Sequence, residues 1–254
     1  MIRFEERGRV AVITIDRQER RNALNGELCE DLTAKLNASH EMRAVVITGA
    51  GSAFCSGADL VTRFGTGTQD HGGDTFRPAF EIALDAIGAH PSPVIAAING
   101  PAVGAGMQLA VACDLRVADL GARLAIPAGR LGIVLSPKNI WRLASLVGHG
   151  VASDMLLVGR TVTAEEGEHI GLVSRVVDDA LGAALAIAGE IAAFAPLTVQ
   201  GHKRALQLIL GATALGDHAR NEISAIETAA FASRDLQEGM AAFADKRNPE
   251  FEGR

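Results

Sequence analysis

Residues 99–119 read NGPAVGAGMQLAVACDLRVAD, and the parsing of this stretch decides the architecture. Gly100, Gly104 and Gly106 mark a tight turn, since glycine enters backbone conformations closed to other residues. Met107–Cys113 continues as a short apolar helix, and Leu115–Ala118 reads as a strand. Just upstream, prolines at 91 and 93 lead into Val94–Asn99 (VIAAIN), a run that suits a buried strand. Strand, glycine turn, helix and strand in that order form an α/β unit whose turn ends at a helix N-terminus. The first polar side chain on that helix is Gln108, an amide that does not titrate.

The same alternation extends outward. Val10–Ile15 (VAVITI) and Ala44–Thr48 (AVVIT) are β-branched strand candidates, and Asn22–Ala38 shows helical spacing through Leu24, Leu28, Leu32 and Leu36. Phe76–His90 reads as a helix, and further strands are expected at Leu124–Ile126 and Leu172–Val177. From Ala180 the strand signal stops. The tail reads as helices Leu181–Phe194, Pro196–Leu210, Leu215–Ala232 and Leu236–Lys246. The reading is therefore an α/β core over residues 1–195 followed by a helical region over 196–254. Between Phe54 and Thr75 lies a long glycine-rich loop, read as a candidate lid.

Composition narrows the function. In 254 residues, 48% are hydrophobic, ample for a large core. The net charge of −6, with no basic block, nine phenylalanines, one tryptophan and no tyrosine, argues against nucleic acid as a partner. No run reaches the length of a membrane span, and the charged opening MIRFEERGRV is unlike a secretory signal, so a cytoplasmic location without membrane attachment is expected. Cys29, Cys55 and Cys113 fit neither a disulfide framework nor a metal site, and no metal is expected.

Phosphate binding is the first chemistry to test on the glycine turns. GPAVGAGMQ lacks the Gly-Lys-Ser/Thr ending of a P-loop, and TGAGSAFCSG breaks a dinucleotide fingerprint at Phe54. A second use is available. Ser56-Gly57-Ala58-Asp59 and Gly104-Ala105-Gly106 each follow a strand, and such turns carry backbone N–H groups without intrahelical partners. Two of these converging would make an oxyanion hole for a thioester or enolate oxygen. Ordinary close-packed turns would need the same small residues.

The ordered series of motifs resembles the enoyl-CoA hydratase/isomerase (crotonase) family over nearly the whole chain. It runs through Arg21-Asn22-Ala23-Leu24-Asn25, Phe54-Cys55-Ser56-Gly57-Ala58-Asp59-Leu60 and Ile98-Asn99-Gly100-Pro101-Ala102 with Gly104-Ala105-Gly106. Cys113-Asp114-Leu115-Arg116, Gly171-Leu172-Val173 and the terminal Phe243, Lys246-Arg247 and Pro249 complete it. The resemblance implies a spiral of ββα units with a C-terminal helical trimerisation region, assembling as a homotrimer or a dimer of trimers. It implies an acyl-CoA thioester as ligand or substrate, no separate cofactor, and a place in fatty-acyl-CoA metabolism. By position the carbonyl donors would be the N–H groups of Ala58 and Ala105. Arg21 and Ala23 would meet the nucleotide, and Phe243 and Lys246 would close on CoA from a neighbouring subunit's terminal helix.

At one point this chain departs from the family. Family hydratases use two glutamates, and their positions here hold Gln108 and Ala128. An amide holds water or a carbonyl but exchanges no proton near neutrality, and a methyl does neither. Leu135-Ser136-Pro137-Lys138-Asn139 also replaces a glycine-rich turn common in hydratases. Substitutes are few. Asp59 reads as structural, Glu81 and Asp85 as solvated helix positions, Ser136 and Lys138 as loop residues with no base beside the serine, and His149 as a helix-end cap. An acyl-CoA-binding protein with weak or absent hydratase activity is the expectation. The alternative is an enzyme doing isomerase or other enolate chemistry with a different acid/base.

Overall fold

The protein is described from a computed structural model, covering residues 1–60, 75–212 and 216–252. The candidate lid falls largely at 61–74, outside the described residues, as does the expected helix start at Leu215.

Six strands form the main sheet. β1 (Ile2–Arg7) pairs antiparallel with β2 (Val10–Ile15); β3 (Ala44–Gly49), β4 (Val94–Ile98), β6 (Leu115–Asp119) and β9 (Arg175–Val177) follow in parallel, in that order. β3 and β4 are buried at every position because both faces of the sheet are covered. Val45 and Ile47 pack toward α1 (Gly26–Ala38) and α2 (Phe76–Ala89), through Leu28, Leu32, Leu84 and Ile87. Their alternates Val46 and Ile95 meet Ala180, Ala184 and Ala188 of α6 (Ala180–Ala193). A small second sheet, ordered β5 (Ala102–Val103), β7 (Arg123–Ala125), β8 (Thr161–Thr163), carries the turns that frame the site.

The sequence-derived α/β layout and the tail helices are present, with corrections at element ends. α1 begins at Gly26, not Asn22, because Arg21 and Asn22 both adopt positive φ and Asn25 caps the helix by accepting the Leu28 N–H. β1 has no apolar run to betray it, since only Ile2 of IRFEER is buried. In α4 (Pro137–Ser153) the helix breaks at Gly148, at φ 77°, and resumes. His149 is thus an exposed residue after a break rather than a cap at the helix end.

The chain continues as α5 (Ala164–His169), α7 (Pro196–Ala212), α8 (Asp217–Phe231) and α9 (Arg234–Asp245). α7 is fastened to the core by Lys203, whose Nζ lies 2.7 Å from Asp114 and 3.1 Å from the Ser92 carbonyl. α9 returns onto the turn at Ala128–Leu131, so closely that a Cβ on Gly239 would stand 2.9 Å from Leu131 backbone. No single helix among the described residues is long and apolar enough to cross a membrane.

Candidate active site

The site is built where β3 and β4 end. Beyond β3 the chain turns through Cys55–Leu60, and beyond β4 it enters α3 (Ala105–Ala112). The two turns are laced together: Val103 N–H donates to the Cys55 carbonyl at 2.9 Å and Cys55 N–H to the Pro101 carbonyl at 3.2 Å. Gly106 makes the approach possible, because a Cβ there would lie 2.1 Å from the Cys55 oxygen. Gly57 has φ +115°, open to glycine and strained for any other residue.

On the outer side, Leu24 N–H donates to the Gly57 carbonyl at 2.8 Å and Asp59 N–H donates to the Leu24 carbonyl at 2.7 Å. This is a parallel bridge, in which the N–H between the two bonded residues points the other way. That N–H belongs to Ala58, and it has no partner among the described residues. Ala105 is the first residue of α3, so its N–H has no helical partner either, and none is found among the described residues. The turns touch: a Cβ on Gly57 would stand 3.8 Å from the Ala105 nitrogen. Both residues line one cavity of about 420 Å³.

Buried polar contacts hold this arrangement. Asn22 donates to the carbonyls of Ala50 at 2.9 Å and Ala53 at 2.7 Å, which clamps its loop onto the turn after β3. Asp59 forms a 2.7 Å ion pair with Arg17, in keeping with a structural role. Arg116 donates to the carbonyls of Cys113 at 2.7 Å and Ala110 at 3.4 Å, a cation at the C-terminus of α3 where the helix dipole favours it. Burial pushes that guanidinium below its usual pKa. Burial also raises Cys29, Cys55 and Cys113 to about 12, so these thiols stay protonated and supply no nucleophile.

The cavity gathers most of the residues singled out from sequence. Ala58, Ala105, Gln108 and Ala128 line it, with Arg21 and Ala23 at the side of the first loop. Gln108 is half-buried and its amide has no partner among the described residues. Ala128 opens the turn that α9 packs upon. Phe243, an expected contact from a neighbouring subunit, lines the cavity of its own chain because α9 folds back. Lys246 does not line it; it is the exposed left-handed residue that ends α9.

Two side chains stand differently from their sequence-based reading. Glu81 is not a solvated helix position: it is half-buried, lines the cavity, and accepts hydrogen bonds from Ser136 Oγ at 3.0 Å and Asn139 Nδ2 at 2.7 Å. Ser136 consequently does have a carboxylate beside it, and it also caps α4. Asp85, one turn further along α2, faces out and pairs with Lys138 at 2.6 Å and Arg142 at 3.0 Å. Apolar groups complete the walls, among them Phe80, Ile126, Leu131, Leu135 and Phe231.

The family described as enoyl-CoA hydratase/isomerase matches residues 5–254. The chain belongs to the enoyl-CoA hydratase/isomerase family. It is similar to a probable enoyl-CoA hydratase of Mycobacterium tuberculosis, 40% identical over 269 residues that cover 100% of both chains. It is also similar to the 2,3-dehydroadipyl-CoA hydratase of Escherichia coli, 37% identical over 97% of this chain and 96% of that one. Among solved structures, the carnitinyl-CoA hydratase from Mycobacterium avium superposes with a TM-score of 0.85 at 34% identity, covering 100% of this chain and 98% of that one. The crotonase-like α/β fold is thereby shown. The family's pattern of glycine turns was legible in the sequence. The position of Glu81 was not: its partners are more than 50 residues away in sequence, and only the packing of α4 on α2 brings them to it.

Proposed function

We propose that this member of the family binds acyl-CoA thioesters, with the carbonyl oxygen received by the N–H groups of Ala58 and Ala105 as an oxyanion hole. The observation that carries this reading is the pair of backbone donors, without partners among the described residues, on touching turns in one cavity wall. Buried N–H groups are almost always paired, and donors left open at a helix N-terminus suit an anionic oxygen. The names of the relatives, each a hydratase of a CoA derivative, agree with it. Arg21 and Ala23 would meet the CoA moiety, whose phosphates suit a guanidinium. The apolar walls would take the acyl chain. Phe243 would close the cavity in the same chain.

Hydration of an enoyl thioester is expected to be weak or absent, because Gln108 and Ala128 supply no proton donor or acceptor. The relatives named as hydratases set the contrast against which that expectation is measured. Assembly as a trimer or dimer of trimers is supported by α7, which exposes Leu197, Leu206, Leu208 and Ile209. The work would be done in the cytoplasm.

Thermal unfolding with butyryl-CoA, palmitoyl-CoA and free CoA tests the binding. A ligand that binds only the folded state raises Tm with concentration. Both thioesters should do so more than CoA. A Tm unmoved by any of the three would refute the reading. A second reading, enolate chemistry with an acid/base outside the two glutamate positions, is favoured by one observation: the carboxylate of Glu81 in the cavity wall.

A further inference from the structure

We propose that Glu81 is the proton-transfer group of this site and that the protein enolises the bound thioester, removing and returning a proton at the α carbon. The proposal rests on the thioester reading above and adds an activity to it. Among the described residues that line the cavity, the carboxylates are Asp59 and Glu81. Asp59 is committed to Arg17 at 2.7 Å and its side chain is 3% exposed. Glu81 is placed otherwise. Both of its donors, Ser136 Oγ and Asn139 Nδ2, reach the same oxygen, Oε1. Oε2 has no partner among the described residues and is the atom free to take a proton.

The donors themselves are held. Asn139 is 4% exposed, and its Oδ1 accepts from Arg142 Nη1 at 2.9 Å while Arg142 also reaches Asp85 at 3.0 Å. Ser136 is fixed as the cap of α4, its Oγ accepting the Asn139 N–H at 3.4 Å. These contacts engage Oε1 and leave Oε2, on a residue that lines the cavity, available as a base. Ser136 and Asn139 are positioning residues; Glu81 is the catalytic one.

The balance is simple. Glu81 Oε2 takes the α proton, the C–H electron pair passes into the enolate, and the developing oxygen charge falls on the Ala58 and Ala105 N–H groups. Return of a proton from the protonated carboxyl to the α carbon regenerates the thioester, with no redox partner. If the carboxyl exchanges with solvent in between, the returned hydrogen is solvent's.

A 3-enoyl-CoA in D2O is the probe, because its enolate is conjugated with the double bond. Deuterium at the α carbon is read by mass spectrometry, with Tm measured on the same samples. The wild-type protein should label the thioester well above buffer. Glu81→Gln should lower the labelling rate at least ~100-fold, the low end of what a general base contributes, and keep the ligand-induced Tm rise. Glu81→Asp, which keeps a carboxylate but withdraws it by one methylene, should fall between them. A Tm rise without labelling by wild type, or with equal labelling by Glu81→Gln, overturns the proposal and leaves the cradle standing. No Tm rise with wild type overturns the cradle and this proposal with it.

Discussion

The two ends of the parallel sheet treat their polar groups in opposite ways. At the C-terminal ends of β3 and β4, the N–H groups of Ala58 and Ala105 and the amide of Gln108 stand without partners among the described residues. At the N-terminal ends, His90, Ser92 and Asp114 are tied. His90 accepts the Ser92 N–H at 3.1 Å and meets Ser39 Oγ at 3.2 Å; Ser92 Oγ donates to the Met42 carbonyl at 2.7 Å. Asp114 accepts both the Val94 N–H and Lys203 Nζ at 2.7 Å. Paired buried groups hold a fold, while unpaired ones at a cavity wall are free for a ligand. Changes at the first end should therefore alter chemistry with the fold intact. Changes at the second should alter stability with ligand response intact.

The largest expected effect tests the open end. Each general acid or base contributes about 10²–10⁴-fold, and on the proposed reading Gln108 and Ala128 stand where a hydratase would carry its two glutamates. Crotonyl-CoA hydration by the unmodified protein should fall several orders of magnitude below that of a competent hydratase. Gln108→Glu by itself should gain little, because proton delivery still lacks its partner. Gln108→Glu with Ala128→Glu should gain more than the product of the single changes, as residues acting as a unit are non-additive. Robust hydration by the unmodified chain would break this side of the comparison.

Next is the closed end. Lys203→Met removes the cation from a pair in which Lys203 is 6% exposed and Asp114 29%. Breaking a fully buried pair costs roughly 3–5 kcal/mol, and the partial exposure of Asp114 puts the loss here at about 3 kcal/mol or less. Denaturant unfolding should show that loss, with the Tm increment from palmitoyl-CoA unchanged. An altered increment would mean that the two ends are coupled.

These contrasts also explain what the chain discloses before folding. The strand cores of β2, β3 and β4 are legible because sheets covered on both faces demand unbroken apolar runs. The cavity turns are legible because Gly57 and Gly106 answer to backbone geometry, which leaves a mark in residue type. Glu81 leaves none. On α2 it adjoins buried Phe80, but whether its flank meets water or α4 depends on a segment far along the chain. Asn22 stands outside the expected helix for a related reason: the helical spacing runs back to it in sequence, but its side chain is claimed by the carbonyls at 50 and 53.

A smaller effect returns to the open end. Gly57→Ala forces an L-residue to φ +115° and sets its Cβ 3.1 Å from the Val103 carbonyl oxygen. Alanine at positive φ destabilises by more than about 0.4–1 kcal/mol, and here the strain displaces the turn that carries the Ala58 N–H. Acyl-CoA affinity, read by calorimetry, should drop about tenfold with only a modest change in Tm. Undiminished affinity would mean that the Ala58 turn does not hold the thioester.

The smallest effect is a pH dependence confined to the closed end. His90 is 1% exposed, and burial, with Lys203 and His40 adding to it, lowers its pKa below the ordinary 6.5. The Ser92 carbonyl, 2.9 Å from Nδ1, works the other way by favouring a protonated ring, but burial outweighs it. The unfolded chain therefore binds a proton at His90 more readily than the folded one. Stability from this group is complete above about pH 6.5 and is lost as pH falls below it. Glu238, half-buried and held down to about 2 by Arg247, loses its contribution only as pH falls below its ordinary 4.5, so the two windows separate. Between pH 7.5 and 5.5 the wild-type Tm should decline, and His90→Gln should start lower and decline less. The palmitoyl-CoA increment at pH 7.5 should be the same in both, since the histidine lies at the end of the sheet away from the cavity. Equal slopes in the two proteins would remove His90 as the source of the decline.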